Sequence, residues 1–108
     1  GYYDSYYMKA QKVRRLICED FKRVFNDVDV LITPTSPILP FKIGDKITDP
    51  LQMYMVDSCT VPMSLAGLPA LNIPVGKSIN DLPIGIQLTG NLFAENNIFS
   101  VAEFLKSI

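Results

Sequence analysis

The sequence predicts an α/β fold in which helices cover a mixed β-sheet, and three observations predict it. Residues 4–26 carry apolar side chains at spacings of three and four, the period of a helix with one buried face. Residues 29–33 and 83–90 are short, rich in branched side chains, and read as strands. Residues 96–108 return to helical spacing. With a second helix and a second strand between them, the order is helix, strand, helix, hairpin, helix, which is the layering of an α/β unit.

In the first helix, Asp4 or Ser5 is the expected N-cap, accepting from the free N–H groups of the first turn. Tyr6, Ala10, Val13, Ile17, Phe21 and Val24 form the expected buried stripe, widened by Leu16 and Phe25. Lys9, Lys12, Arg14, Arg15, Lys22 and Arg23 populate the rest of the surface. Glu19 and Asp20 interrupt that run, so it reads as a solvated or intersubunit face in preference to a nucleic-acid contact. Tyr2, Tyr3, Tyr6 and Tyr7 could stack on RNA bases; with half of them on the apolar face, packing is the simpler reading. Asn26-Asp27 is expected to end the helix.

Asp29–Thr33 is continuously apolar in its middle, as a fully buried strand is, and Pro34 and Pro37 stop it. The loop 38–48 is polar, with a turn expected at Gly44-Asp45. Asp49-Pro50 opens the next helix, Asp as N-cap and Pro in the first turn, running to about Ser58 and resuming over 63–66. Met53, Met55 and Met63 are assigned to core packing; a soft-metal site lacks the His or Cys neighbours it would need.

From Asp57 to Gly76 the chain is apolar and heavily punctuated, by Pro62, Gly67, Pro69 and Pro74. Proline fixes φ and restricts the residue before it, while glycine opens positive φ, so the backbone path is imposed. Gly67, with Pro69 just beyond it, marks a helix C-terminus. Ala70–Val75 is the second strand, and Pro74 inside it argues for an edge, a bulge or the strand's end. Lys77–Leu82 is a polar turn, so the second and third strands pair as an antiparallel hairpin. Along the third, Ile84, Ile86 and Leu88 share one face, and Gly85, Gln87 and Thr89 the other. Asn96 or Asn97 is the expected cap of the last helix, whose face holds Ile98, Val101, Ala102, Leu105 and Ile108. Three strands leave open edges, so the chain is expected to be part of a larger sheet, one incomplete domain over 1–108.

The totals exclude several classes. The net charge is −1, from ten basic and eleven acidic residues, which argues against a large electrostatic footprint for nucleic acid. There is no His, which removes the usual general base and zinc ligand. Cys18 and Cys59 are read as reduced thiols. No run approaches the ~18 consecutive apolar residues of a membrane helix, and no membrane partner is expected. The chain opens at Gly1 without Met and shows no signal peptide, so a processed chain or a piece of a longer one is expected. Composition and spacing supply no complete catalytic set.

Five stretches carry a resemblance: GYYDSYYMKAQKVRRLI at 1–17, DVLITPTSP at 29–37, DPLQMYMVD at 49–57, TVPMSLAGLPALNIPVG at 60–76 and LPIGIQLTG at 82–90. Their order and wording resemble the C-terminal part of the amidase signature family. The opening stretch and DPLQMYMVD look most like the A subunits of the glutamyl-tRNA(Gln)/aspartyl-tRNA(Asn) amidotransferases. Ser64 stands where many members carry Asn.

The resemblance implies a glutaminase that releases ammonia from glutamine. A partner, the B subunit, using ATP and Mg and contacting most of the tRNA, would amidate the misacylated tRNA. A small C subunit would hold the two together in a heterotrimer. The resemblance also implies a bacterial cytoplasm or an organellar matrix as the compartment. The family's Ser-Ser-Lys catalytic residues belong to an upstream region, and Ser36, Ser58, Ser64 and Lys77 match none of them. No catalytic residue is therefore assigned, and these residues alone are expected to be inactive. The resemblance implies one substrate contact: Asp57 as acceptor of the α-ammonium of glutamine, through a charge-assisted bond. The structural alternative is a C-terminal-turn residue bonded locally. A stand-alone amidase acting on other amides, or a non-catalytic piece that only binds partner subunits, are the competing functions.

Overall fold

A computed structural model describes residues 1–45 and 48–108; Lys46 and Ile47, inside the connector read over 38–48, lie outside the described residues. Its elements are α1 (Tyr2–Val24), β1 (Val30–Pro34), α2 (Pro50–Val56), α3 (Val61–Leu65), β2 (Ala70–Lys77), β3 (Pro83–Gly90) and α4 (Glu95–Ser107). The strands form one sheet in the order β1-β3-β2, and helices lie over it, so the α/β class stands.

The hairpin is antiparallel as expected, because its turn is too short for a crossover. Ser78 N donates to Leu82 O at 2.8 Å and Asp81 N to Ser78 O at 2.9 Å to close it. β1 also pairs antiparallel with β3, so β1 and β2 run the same way on opposite sides of the central strand. Pro74 meets two of its expected conditions. β2 is an outer strand, and the register slips between Pro74 and Gly76, leaving Val75 as the extra residue of a bulge.

Both faces of β3 are covered at its C-terminal end. On one, Leu88 and Ile73 meet Ile98 and Ala102 of α4, with Val30, Leu71, Ile86, Val101 and Leu105 around them. On the other, Gln87 and Thr89 are buried and Met63 of α3 is buried with them. The face expected to be merely small and polar is therefore a second interior surface.

Three helix starts differ in their reasons. Asp49 caps α2 as expected, its Oδ1 accepting from Leu51 N at 2.9 Å. α1, however, begins at Tyr2, which puts Asp4 inside the first turn. There its carboxylate lies 3.3 Å from the Gly1 ammonium, so neither Asp4 nor Ser5 is the cap. α4 begins at Glu95, ahead of Asn96 and Asn97. The turn over 91–94, closed by Ala94 N donating to Asn91 O at 3.0 Å, delivers the chain into the helix before either Asn is reached.

The larger correction concerns α1. None of its residues is buried, and Tyr6, Val13 and Leu16 are 59%, 49% and 60% exposed. Tyr2, Tyr3 and Tyr7 are exposed as well, so the tyrosines do not pack inward here. Met53 and Met55 are exposed too, and of the three methionines assigned to the core only Met63 belongs to it. The physical reason is the shape. The molecule measures 52 × 39 × 17 Å, and its radius of gyration of 16.6 Å exceeds the ~13 Å of a compact domain of this length. A helix at the rim of so flat a body has only the short α3 to lean on.

Candidate functional site

Asp57 ends α2, with φ −93° and ψ 0°. Its backbone carbonyl is fully engaged: Thr60 N donates to it at 3.1 Å, Val61 N at 3.0 Å and Thr60 Oγ1 at 3.4 Å. This closes a tight turn from α2 into α3, which the proline at position 62 then stiffens in its first turn. The Asp57 residue is exposed, and its carboxylate accepts no hydrogen bond and joins no ion pair among the described residues. Local bonding thus occupies the backbone of Asp57 and leaves its side chain free.

The turn is fixed to the sheet by a residue that sequence reasoning placed on the right face but gave no role. The Nε2 of Gln87 donates to Cys59 O at 2.7 Å, to Thr33 Oγ1 at 3.3 Å, and lies 3.5 Å from Met63 Sδ. Gln87 is only 6% exposed, and its amide joins β1, the central strand and the α2–α3 turn. The signal that could have found it is a long polar side chain between Ile86 and Leu88 in a mostly apolar strand: a buried amide must find partners. Thr89, two residues on, does not. Its Oγ1 is buried with no hydrogen-bond partner among the described residues.

The far end of α3 is built as its sequence predicts. Gly67 has φ +71°, Leu68 N donates to Met63 O and Gly67 N to Ser64 O, both at 3.1 Å. This is a Schellman ending, which asks for glycine at the left-handed position. Two carbonyls left over there are taken by α1: Arg14 Nε donates to Leu65 O at 2.7 Å, and Cys18 Sγ approaches Ala66 O at 3.9 Å. A cation at a helix C-terminus also meets the negative end of the helix dipole.

Beside the Asp57 turn runs an open groove of about 450 Å³, lined by Val56, Thr35, Pro37, Phe41, Asn72 and Gly85 among others. Thr35 Oγ1 donates to Asn72 Oδ1 across Gly85. A Cβ on Gly85 would stand 2.5 Å from that Asn72 oxygen, so a larger residue there would push the Asn72 side chain out of the bridge.

The remaining singled-out residues are occupied locally. Ser58 Oγ donates to Met55 O at 2.7 Å, Ser64 Oγ to Thr60 O at 3.4 Å, and Ser36 Oγ accepts from Ile38 N at 3.3 Å. Lys77 Nζ pairs with Asp81 at 3.3 Å. Cys18 and Cys59 are free thiols. Among the described residues no group of three or more His, Cys, Asp or Glu could hold a metal ion, and no helix is long and apolar enough to cross a membrane.

The family model described as Amidase matches residues 1–99. The A subunit of the glutamyl-tRNA(Gln) amidotransferase of Nostoc punctiforme is 58% identical over 102 residues, covering 94% of this chain. That of Archaeoglobus fulgidus is 54% identical over 105 residues, covering 97%. The chain spans 21% and 22% of the length of these curated relatives. Among solved structures, the A subunit of the Thermotoga maritima glutamyl-tRNA(Gln) amidotransferase superposes with a TM-score of 0.81 at 48% identity, over 91% of this chain and 21% of that one. A crystal structure described as an amidase superposes equally well, TM-score 0.82 over 94% of this chain and 24% of that one, at 22% identity; that likeness carries the fold alone. With its model matched over 1–99, this chain belongs to the amidase family.

Proposed function

We propose that this chain is the C-terminal part of the glutamine-hydrolysing A subunit of a tRNA-dependent amidotransferase, which converts misacylated Glu-tRNA(Gln), Asp-tRNA(Asn) or both to the amide form. The reading is supported by relatives of that name at 53–58% identity. The observation that carries it is the Asp57 carboxylate, unengaged at the head of a turn that closes on Asp57's own backbone carbonyl.

In this reading the Ser-Ser-Lys set that hydrolyses glutamine comes from residues outside these 108, and Asp57 supplies recognition. A positioned carboxylate accepts a charge-assisted bond from the α-ammonium of glutamine. An amide without that ammonium would leave the carboxylate unpaired in a closed site, so the contact selects glutamine from other amides. Ammonia then passes to the B subunit, where ATP and Mg activate the misacylated tRNA, and the C subunit joins the two. Within this chain the role is to place one carboxylate and to form one side of the fold.

The test is Asp57→Ala in the full-length subunit within its assembled complex. The Michaelis constant for glutamine is expected to rise by roughly ten- to a hundredfold, the range for losing a charge-assisted contact. The melting temperature should hold, because the side chain supports nothing else in the turn. An unchanged Michaelis constant rejects the role.

A further inference from the structure

We infer that Gln87 is the positioning residue for substrate recognition, setting the Asp57 carboxylate through the α2–α3 turn. The inference rests on the ammonium-binding reading of Asp57. That residue poses a geometric problem. It is exposed, stands at the end of a helix of seven residues, and its own side chain is tied to nothing described. Its placement must therefore come from the backbone that follows it. That backbone turns back on itself within four residues, through the bonds of Thr60 N and Val61 N to Asp57 O.

Such a turn is rigid internally but could still tilt as a body over the sheet. One side chain prevents this. Gln87 projects from the central strand, the best-buried element of the sheet, and donates to the carbonyl of Cys59 in the middle of the turn at 2.7 Å. The second amide hydrogen is directed to Thr33 Oγ1 on β1, at 3.3 Å. Thr33 and Gln87 are register partners across the β1–β3 ladder, so the amide is held from two sides before it reaches the turn. Among the described residues no other side chain bonds the backbone of residues 57–61 from a distant part of the sequence. The sulfur of the buried Met63 lies 3.5 Å from the same nitrogen.

The test compares two amides: glutamine and glutaramate, which is the same molecule without the α-amino group. The readout is the ratio of their kcat/KM values in the full-length subunit of the assembled complex. Gln87→Met keeps the length of the side chain and removes both donors. It is expected to lower the preference for glutamine about tenfold, as displacement of a recognition group does. The loss should lie in the Michaelis constant for glutamine, with turnover of glutaramate holding. On the Asp57→Ala background, Gln87→Met is expected to change the ratio no further.

Should Gln87→Met fail to fold, Gln87→Glu carries the test with the same shape. Its carboxyl donates a hydrogen bond only when protonated, and burial holds the proton on to higher pH than is usual for glutamate. The preference for glutamine should therefore return as the pH is lowered, a profile absent from the parent enzyme. Equal losses for both amides, multiplying effects in the double variant, or a lost preference in Gln87→Glu that does not return as the pH is lowered overturn the positioning role. If Asp57→Ala removes the preference and both Gln87 variants keep it, only the positioning role falls. If Asp57→Ala itself keeps the preference, the ammonium reading falls and takes this inference with it.

Discussion

Gly67 and Gln87 mark the two ends of what single residues disclose. A glycine followed two residues later by proline, after a short apolar run, has one economical explanation, and the positive φ and Schellman bonds at Gly67 agree with it. Gln87 was legible only as a polar residue on one face of a strand, because its acceptors, Cys59 and Thr33, are distant in sequence. Asp57 stands between the two. Its motif is legible, but the feature that matters chemically, a bonded backbone under a free carboxylate, needs the turn itself. Thr89 offers a separate check on the interior. A buried hydroxyl without a partner retains its desolvation cost, so Thr89→Val is expected to stabilise the full-length protein by up to about 1 kcal/mol. Thermal or urea unfolding measures it; a loss of similar size would reveal a partner for that hydroxyl.

At the scale of elements, periodicity and punctuation located the strands and the longer helices, because period 3.6 and period 2 are properties of the local chain. The short α3, expected to resume at 63, starts at Val61 and carries Pro62 in its first turn, where a proline needs no N–H partner. Periodicity did not identify what each element packs against. α1 shows this most clearly: the stripe through Tyr6, Val13 and Ile17 announces a face that needs cover, and nothing local says where the cover comes from. The helix starts were misplaced for a related reason. Asn96 is a good capping residue, but the turn over 91–94 decides which residue arrives at the helix end, and it brings in Ala94; Asp4 lies inside the first turn of α1. What holds α1 in place is its own contact with the end of α3, through Arg14 and Cys18. Arg14→Ala removes the bond to Leu65 O and the stem that lies beside it. Backbone amides of α1 should then exchange hydrogen faster in the full-length protein, while those of α4, which sits on the other face of the sheet, stay protected. Equal acceleration in both helices would show that Arg14 supports the whole fold and has no special place at this contact.

The whole molecule is a slab, and its shape decides how these 108 residues behave by themselves. The core under α4 is real but small: Ile73, Leu88, Ile98 and Ala102, with partly buried neighbours. Against it stand Tyr6, Val13, Leu16, Met53, Tyr54 and Met55, all exposed, and two outer strands with no further partner among the described residues. Apolar surface on this scale marks an interface, and open strand edges invite pairing with whatever is near. The sequence hinted at this through its three strands and unfilled stripe, whereas the degree of flatness is a property of the assembled layers that no local pattern encodes. It follows that the isolated 108 residues should bind an apolar dye such as ANS and associate as their concentration rises, without hydrolysing glutamine. Sedimentation across a roughly tenfold concentration range is the direct measurement. A dye-silent monomer at every concentration would mean that α1 folds back to cover its own stripe, and the slab would then not be the form these residues adopt alone.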